Sequence, residues 1–293
     1  SKAENKGAYK FDLVGVITFM VAMVALQVLA TQGSKFGWTS MASLGLMAIV
    51  FEFGAVFFKV ESGNPNAFVQ FRLFRNSTYT GATISNRLLN ATAGIIIVAM
   101  LVLQQGGGIS AQEAGLLTLG YAISILAFIR VGERLLQRFG PRQPMLWGCY
   151  IVGLAIVLLM PTNLMLGSYK ILAVIAFSLF GVGVAFYSTP STDAALSNLP
   201  ADQSGAGAGI YKMASSLGAS FGVAISSAIY TAIAGNNAGI RWIEGVISFV
   251  GNQTNLASRE AAFFALLVML IMLLVAIASI VLTIPKGRPA AHA

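Results

Sequence analysis

The amino-acid sequence predicts an all-α membrane protein with eight transmembrane helices, and two observations carry that prediction. Of the 293 residues, 57% are hydrophobic and 10% are charged, whereas soluble domains contain about 25% charged residues. The apolar residues are also collected into runs close to the length of about 20 residues that a helix needs to cross a bilayer. A chain of this length and composition is too apolar to fold as one soluble domain.

Eight apolar runs follow one another along the chain, separated by short polar segments. They cover residues 12–31, 41–59, 80–103, 113–130, 144–161, 169–189, 205–234 and 261–284. The third and seventh runs are long, which predicts that these helices tilt or extend past the membrane. Between the last two runs, residues 235–260 carry isoleucine and valine at helical spacing beside Trp242. Either a short helix in the membrane interface or a partly ordered loop accounts for this segment.

The basic residues predict which side of the membrane each connection faces. An even number of helices leaves both termini on one side. If that side is cytoplasmic, the inner segments carry twelve lysines and arginines and the outer segments carry four, as the positive-inside rule requires. We therefore expect a multi-pass protein of a bacterial cytoplasmic membrane with both termini in the cytoplasm. The net charge of +8 follows from this topology, so we expect no nucleic acid as a partner.

No pattern typical of an enzyme or a metal site occurs in the sequence. Cys149 and His292 are each the only residue of their type, so a cysteine–histidine metal site cannot be assembled. Zinc-protease, nucleophile-elbow, Walker A and paired-cysteine motifs are also missing from the sequence. We expect no catalytic residues, no metal and no organic cofactor.

Polar residues share one face of the third apolar run. Thr83, Arg87, Asn90 and Gly94 recur at spacings of three to four residues, with Asn86 beside them. This spacing places them on one side of a helix, which predicts that the helix lines a water-filled cavity. Arg87 then either contacts the substrate or an acidic partner, or extends back to the cytoplasmic surface.

Small residues line one face of the seventh apolar run. They recur every four residues, at Ala214, Gly218, Gly222 and Ser226. This spacing predicts a flat stripe on which a second helix backbone approaches closely.

Three charged side chains in or near the apolar runs are candidates for proton or charge coupling, because a charge at membrane depth is costly and marks functional sites. Lys212 lies about two turns into the seventh run, and Asp193 precedes that run. Either the two form a charge pair that breaks during a transport cycle, or Lys212 extends to the headgroups. Glu52, in the second run, either carries a proton within the membrane or lies at the interface facing a basic loop.

Proline and aromatic residues mark the end of the sixth apolar run. Pro190 follows Tyr187 closely, and we expect it to end or bend the helix there. Phe177, Phe180 and Phe186 either offer aromatic surface to an amphiphilic ligand or pack against other helices and lipid.

Four arginines are concentrated between the fourth and fifth apolar runs. They are Arg130, Arg134, Arg138 and Arg142. We expect residues 130–142 to form a cytoplasmic loop. This loop either binds helix C-termini and acidic partners as a conformational latch or serves only as a topology signal, and the two roles are compatible.

Four segments of the chain carry a resemblance to a known family. They are Lys10–Gly15, Gly37–Ser40, Phe71–Asn76 followed by Tyr79–Thr80, and Gln137–Arg142. These segments resemble the major facilitator superfamily, specifically its 14-helix drug:proton antiporter branch. Three further segments, Arg130–Glu133, Tyr187–Asp193 and Gly209–Ser215, resemble the Nor-type quinolone and multidrug efflux pumps within it.

The resemblance implies that the eight helices correspond to helices 7–14 of a 14-helix major facilitator fold. Residues 1–10 would be the remnant of a cytoplasmic loop, 11–60 a linker transmembrane hairpin, 61–79 a cytoplasmic link, 80–284 the C-terminal six-helix half of the transporter and 285–293 a cytoplasmic tail. The third and sixth helices would line the central cavity, and the seventh would be peripheral to it.

The resemblance also implies a function and a set of site residues. The chain would be the C-terminal portion of a transporter that uses a proton gradient, without a cofactor, to export amphiphilic and often cationic compounds. With the polar face and aromatic residues described above, the candidate substrate-cavity residues are Thr83, Asn86, Arg87, Asn90, Phe180 and Tyr187. The charged side chains described above, Asp193, Lys212 and Glu52, are the candidate coupling residues, and the resemblance implies a cytoplasmic loop element that includes Arg138, Gly140 and Arg142.

Two residues depart from the family pattern, and two other functions stay open. Gln137 stands where the family element usually has aspartate, which weakens an ionic latch from that position, and Arg87 is not typical of its position. The chain also lacks the N-terminal half that would be its partner beside the lipid bilayer and the substrate. The first alternative function is that a chain with the same fold exports an anionic drug or metabolite. The second is that the chain is a non-transporting membrane half or scaffold.

Overall fold

The computed structural model describes residues 13–37, 39–63, 71–235, 240–251 and 255–287, and these residues form helices joined by short connections, with no strand among them. Each of the eight predicted apolar runs lies largely within helix. Seven helical stretches of the described chain are long and apolar enough to cross a membrane, and the first helix contains a further apolar run, Leu13–Leu29. The prediction of an all-α fold with multiple spanning helices is therefore confirmed.

The first of two compact units contains the chain up to Asn76 together with Leu199–Ile210. Its helices α1 (Leu13–Phe36) and α2 (Met41–Ser62) pack against each other as a hairpin. The rings of Phe19 and Phe57 lie 5.0 Å apart across this contact. Ser40 ends the connection as an N-cap, because its side chain accepts a hydrogen bond from the Ser43 backbone N–H at 3.2 Å.

The second unit contains Ser77–Asn198 and the chain from Tyr211 onward. Its helices are α3 (Ser77–Ala91), α4 (Gly94–Leu101), α5 (Ala111–Leu117), α6 (Leu119–Phe139), α7 (Arg142–Leu159), α8 (Leu166–Leu196), α9 (Ser204–Gly235, whose first residues belong to the other unit), α10 (Arg241–Val246) and α11 (Leu256–Thr283). A π-helical turn, Val102–Gly106, continues α4. Helix α8 packs against α3, α6 and α7, and α11 packs against α3 and α7.

The third predicted helix is interrupted between α3 and α4. The Thr92 hydroxyl donates to the backbone carbonyl of Leu89, and the backbone N–H of Ala93 bonds the carbonyl of Asn90, three residues back, at 3.1 Å. A hydroxyl that bonds a nearby carbonyl competes with the α-helical pattern and bends the helix. The expected continuous helix over 80–103 is therefore replaced by two helices and a π-helical turn.

Helix α8 runs through Pro190 and ends at Leu196, so the alternative that this proline ends the helix is wrong. Asp193 consequently lies in the last turn of α8. Proline removes one backbone donor and crowds the preceding turn, but membrane helices tolerate it because serine and threonine side chains bond nearby carbonyls. Ser188 and Thr192 do so, donating to carbonyls four residues earlier at 2.8 and 3.0 Å.

The expected loop over 130–142 is largely helical, because α6 continues to Phe139. Arg130, Arg134 and Arg138 recur every four residues, so they share one exposed face of that helix. Gly140 ends α6 with a φ of 81°, a left-handed conformation that glycine adopts without strain. Only Gly140 and Pro141 separate α6 from α7.

The segment between α9 and α11 contains one short helix. It is α10, in which Ile243 is buried while Trp242 is about half exposed. Residues 236–239 and 252–254 of this segment lie outside the described part of the chain. Its position in the membrane interface stays a prediction.

Candidate functional site: a polar network among three helices

A buried hydrogen bond joins α3 to α8. The hydroxyls of Ser85 and Tyr187 lie 2.5 Å apart, and both side chains are buried. Ser85 donates its own proton to the carbonyl of Ala82 at 2.9 Å, so Tyr187 is the donor to Ser85. Beside this contact, glycines allow the backbones of α7 and α8 to approach closely. A Cβ added at Gly148 would lie only 2.6 Å from the carbonyl oxygen of Gly183.

Two more contacts join α9 to the same region. The hydroxyls of Ser191 on α8 and Tyr211 on α9 are 2.6 Å apart. Asn86 on α3 donates to the backbone carbonyl of Tyr211 at 3.3 Å and to the hydroxyl of Ser215. Asn90 donates to the backbone carbonyl and side-chain oxygen of Asn86 at 2.7 and 2.9 Å. The polar network thus consists of Ser85, Asn86, Asn90, Tyr187, Ser191, Tyr211 and Ser215.

Close backbone contact accompanies the network between α3 and α9. A Cβ added at Gly218 would overlap the backbone of Arg87, and one added at Gly222 would overlap the backbone of Ala91. On the other side, a Cβ at Gly94 would overlap the Ser226 hydroxyl. The predicted role of the small-residue stripe in close helix packing is therefore confirmed, and its partner is α3 with the start of α4.

The hydrogen bonds of the network satisfy polar groups that are buried between the helices. A buried donor or acceptor left unpaired costs about 1–3 kcal/mol, and helix–helix hydrogen bonds in membranes are each worth about 0.6–2 kcal/mol. Such contacts fix the registry of α3, α8 and α9 while they are paired. They also supply hydroxyl, amide and carbonyl groups that water or a polar cargo can bind in their place.

The structure brings some of the predicted cavity residues together. Asn86, Asn90 and Tyr187 belong to the polar network, and Thr83 is buried on the same helix. Arg87 is exposed, with its guanidinium 5.5 Å from the ring centre of Phe221 on α9. Their roles toward a substrate stay predictions.

Phe180 lies seven residues, about two helical turns, before Tyr187 on α8 and is not part of the network. It is 1% exposed, and its ring stacks on that of Tyr121 in α6 at 5.2 Å. Phe177 is also buried, and Phe186 meets Phe128 edge-on at 6.3 Å. In this conformation the aromatic residues of α8 pack against neighbouring helices.

None of the three predicted coupling residues is fully buried. Lys212 is exposed on α9, and Asp193 is half-buried in the last turn of α8. Glu52 is exposed on α2 of the hairpin. A charge pair between Lys212 and Asp193, and proton carriage by Glu52, stay predictions.

The element that contains Arg138, Gly140 and Arg142 binds a helix end. Arg142 donates to the backbone carbonyl of Ile284, the residue that follows α11, at 3.1 Å. A cation at a helix C-terminus is favoured because the last carbonyl groups carry partial negative charge. The guanidinium of Arg138 lies 5.3 Å from the ring centre of Phe139. The contact of Arg142 is of the kind expected for the latch alternative.

Sequence reasoning missed the partners of the network and a second arginine. Ser191 lies four residues after Tyr187 on α8, and Ser215 lies four residues after Tyr211 on α9. This i, i+4 spacing of polar side chains was the signal that could have identified them.

The arginine that sequence reasoning missed is Arg259, which is 5% exposed. It donates to the carbonyls of Thr162 and Val250 at 2.6 and 2.8 Å. It also lines a cavity of about 260 Å³ that is bordered by the α7–α8 and α10–α11 connections.

The apolar helices place the chain among polytopic α-helical membrane proteins. Residues 11–223 and, in an overlapping match, residues 82–292 fit the sequence profile of the Major Facilitator Superfamily. The chain therefore belongs to the Major Facilitator Superfamily.

Curated relatives of the chain include drug-resistance proteins. It is 40% identical over 260 residues to the quinolone resistance protein NorB of Staphylococcus aureus strain MRSA252, an alignment that covers 85% of this chain and 56% of the relative. The NorB proteins of strains Newman and COL match over the same shares at the same identity. The chain thus spans a little over half the length of these relatives.

Proposed function

We propose that the chain is the C-terminal portion of a proton-coupled multidrug efflux transporter that exports amphiphilic, often cationic compounds. The observation that carries this proposal is the 40% identity to quinolone resistance proteins over 85% of the chain. The proposal includes no catalytic step and no cofactor, because a transmembrane proton gradient supplies the driving force.

The proposed architecture follows the family register. Residues 1–10 belong to a cytoplasmic loop, 11–60 form a linker hairpin, 61–79 a cytoplasmic link, 80–284 the C-terminal six-helix half and 285–293 a cytoplasmic tail. Both termini face the cytoplasm of a bacterial cell, which agrees with the excess of basic residues in the inner segments. The partner is an N-terminal half, since alternating access needs two halves that move about a central site.

The polar network is the proposed substrate side of this half. Tyr187 is 1% exposed, so a substrate reaches it only when α8 separates from α3 and α9. Asn86 and Asn90 on α3 then exchange their mutual hydrogen bonds for bonds to cargo. Arg87 directly follows Asn86 and lies three residues before Asn90 on the same helix. Phe180 would reach cargo only if α8 also left α6. Lys212, Asp193 and Glu52 are the proposed coupling charges.

Two experiments test the proposal. The DNA upstream of the coding sequence should contain an in-frame six-helix segment. Joined to that segment, the chain should drive efflux of a cationic dye from energised cells, and a protonophore should abolish this efflux. Efflux that persists without the proton gradient, in cells where the joined protein is present in the membrane, would contradict proton coupling.

A second candidate function is export of an anionic drug or metabolite. It is favoured by two cationic side chains, Arg87 and Lys212, which are both exposed near the α3–α9 contact. Vesicles containing the joined protein should be tested with a cationic dye and an anionic drug in parallel, and preferential transport of the anion would favour this function. Transport of neither would favour a non-transporting half or scaffold.

A further inference from the structure

A carboxyl group that forms no ion pair within the described part of the chain is buried where α10 meets α11. Glu260, in the first turns of α11, has no exposed surface. One of its oxygens, Oε2, accepts a hydrogen bond from the backbone N–H of Ile240 at 2.7 Å. The other, Oε1, is buried and has no hydrogen-bond partner. The carboxyl group of Glu244, on α10, lies beside it.

The neighbouring arginine on the same helix is engaged elsewhere. Arg259 precedes Glu260, but successive residues of an α-helix point about 100° apart. Its guanidinium donates to the carbonyls of Thr162 and Val250 in two connections. These bonds hold the positive charge on backbone oxygens rather than on the carboxyl of Glu260.

The other charged residues of the described chain at this end of the bundle do not balance Glu260, since Lys170 at the start of α8 forms an ion pair with Glu113 on α5 at 2.6 Å. Between Met213 and Pro285 the residues with ionisable side chains are Tyr230, Arg241, Glu244, Arg259 and Glu260. The phenol of Tyr230 on α9 is neutral at physiological pH, and Arg241 on α10 is exposed. Helix α4, its π-helical turn and the connection 160–165 carry no charged side chain, nor do the segments 236–239 and 252–254 outside the described residues.

Two carboxyl groups in this arrangement cannot both stay ionised at low cost. An isolated buried carboxylate is disfavoured by desolvation, and a second carboxylate beside it adds repulsion. A proton on Oε1 removes both penalties, and it converts this atom into an O–H donor that the Glu244 carboxylate can accept.

We propose that Glu260 and Glu244 form a proton-binding site, in which Glu260 takes up one proton from solvent on Oε1 and keeps it at neutral pH. Loss of the proton places two negative charges side by side and weakens the attachment of α10 to α11. The inference rests on burial and charge alone, so it stands or falls independently of drug transport.

Carbodiimide labelling tests the site directly. The 293-residue chain in lipid nanodiscs is treated at pH 7 with dicyclohexylcarbodiimide, a lipid-soluble reagent that modifies protonated carboxyl groups, and the modified residues are located by mass spectrometry. Glu260 should be modified. Glu113 is the internal control, since it forms an ion pair with Lys170 at 2.6 Å and should stay unmodified.

Two matched variants separate a proton site from a merely structural carboxylate. Glu244→Gln removes the negative charge that favours the proton, and should reduce modification of Glu260 at pH 7 by about threefold or more. Glu260→Gln is neutral and keeps an acceptor for the Ile240 N–H. It should leave the thermal unfolding midpoint at pH 7 unchanged, whereas loss of an ionised, hydrogen-bonded carboxylate would lower that midpoint.

Three results would overturn the proposal. The first is an unmodified Glu260 in monodisperse, folded protein. The second is modification that does not respond to Glu244→Gln. The third is modification that disappears when sodium or calcium replaces choline in the buffer, because the two carboxylates would then hold a metal cation instead of a proton.

Discussion

The two sides of helix α8 are held by different kinds of contact. Toward α6, glycine brings the backbones together, since a Cβ at Gly132 would lie 2.5 Å from the carbonyl oxygen of Ala185. The rings of Phe180 and Tyr121 also stack between α8 and α6. Toward α3 and α9, the contacts are hydrogen bonds between the hydroxyls of Tyr187 and Ser191 and the hydroxyls of facing helices.

This difference indicates which side of α8 can open. Close-packed apolar contacts are lost outright when helices separate, since the lining atoms then have no neighbours at optimal distance. A hydrogen bond can be exchanged for one to water or to a polar ligand, so its net worth is only about 0.5–1.5 kcal/mol. We therefore expect α6 and α8 to move as one body, and a cavity to form where α8 faces α3 and α9.

The largest expected effect is on the glycine side. Gly132→Ala places a methyl group against the backbone of Ala185 and should destabilise the chain by about 1–3 kcal/mol. Gly115→Ala is the matched control, because a Cβ at Gly115 meets nothing within 4 Å. That control should be neutral or gain up to about 1 kcal/mol from higher helix propensity.

Cys149 provides the measurement for this pair. It is the only cysteine of the chain and is fully buried, so a thiol-reactive fluorogenic dye reports unfolding as temperature rises. Equal unfolding midpoints for the Gly132→Ala and Gly115→Ala variants would show that the backbones of α6 and α8 are not closely packed at Gly132.

A smaller effect is expected on the polar side. Tyr187→Phe removes the hydroxyl that donates to Ser85, but Ser85 keeps its bond to the Ala82 carbonyl. The loss should be about 1 kcal/mol, smaller than that of Gly132→Ala, and is measured by circular dichroism during thermal unfolding. Tyr150→Phe is the control, because Tyr150 is 54% exposed on α7 and should change stability by less than about 0.5 kcal/mol. A loss larger than that of Gly132→Ala would reverse the ranking of the two sides.

The sequence predicted the elements of this comparison better than their contacts. Hydrophobic run length located the spanning helices, and the four-residue repeat of small residues identified Gly218 and Gly222 as a packing surface. The sequence did not predict that α8 continues through Pro190. The hydroxyls of Ser188 and Thr192 compensate for the proline by bonding carbonyls four residues earlier, and these bonds exist only once the helix is formed. The end of α6 was placed too early for a similar reason, because arginines at i, i+4 spacing fit a helix as well as a loop.

The candidate site was predictable on one helix only. Spacing within the third apolar run pointed to Asn86 and Asn90, but the partners on α8 and α9 are more than 100 residues away along the chain. No local pattern pairs Ser85 with Tyr187 or Asn86 with Ser215. Aromatic character likewise does not show that Phe180 packs against α6 while Tyr187 faces α3, because the sequence does not give the neighbour that each side chain meets.

The smallest expected effect on stability is at Arg87, beside the polar network. Its side chain is exposed, and its one described ring contact, to Phe221 at 5.5 Å, is worth about 0.5–1 kcal/mol at exposed sites. Arg87→Gln should therefore cost less stability than Gly132→Ala, yet change the ratio of cationic to anionic substrates transported by the joined protein. The control is Arg134→Gln, an exposed arginine on α6, which should leave that ratio unchanged. If Arg87→Gln also leaves the ratio unchanged, the result favours the alternative that the Arg87 side chain extends to the membrane surface. The uncharged hydroxyls and amides of the polar network would then be the groups that contact cargo.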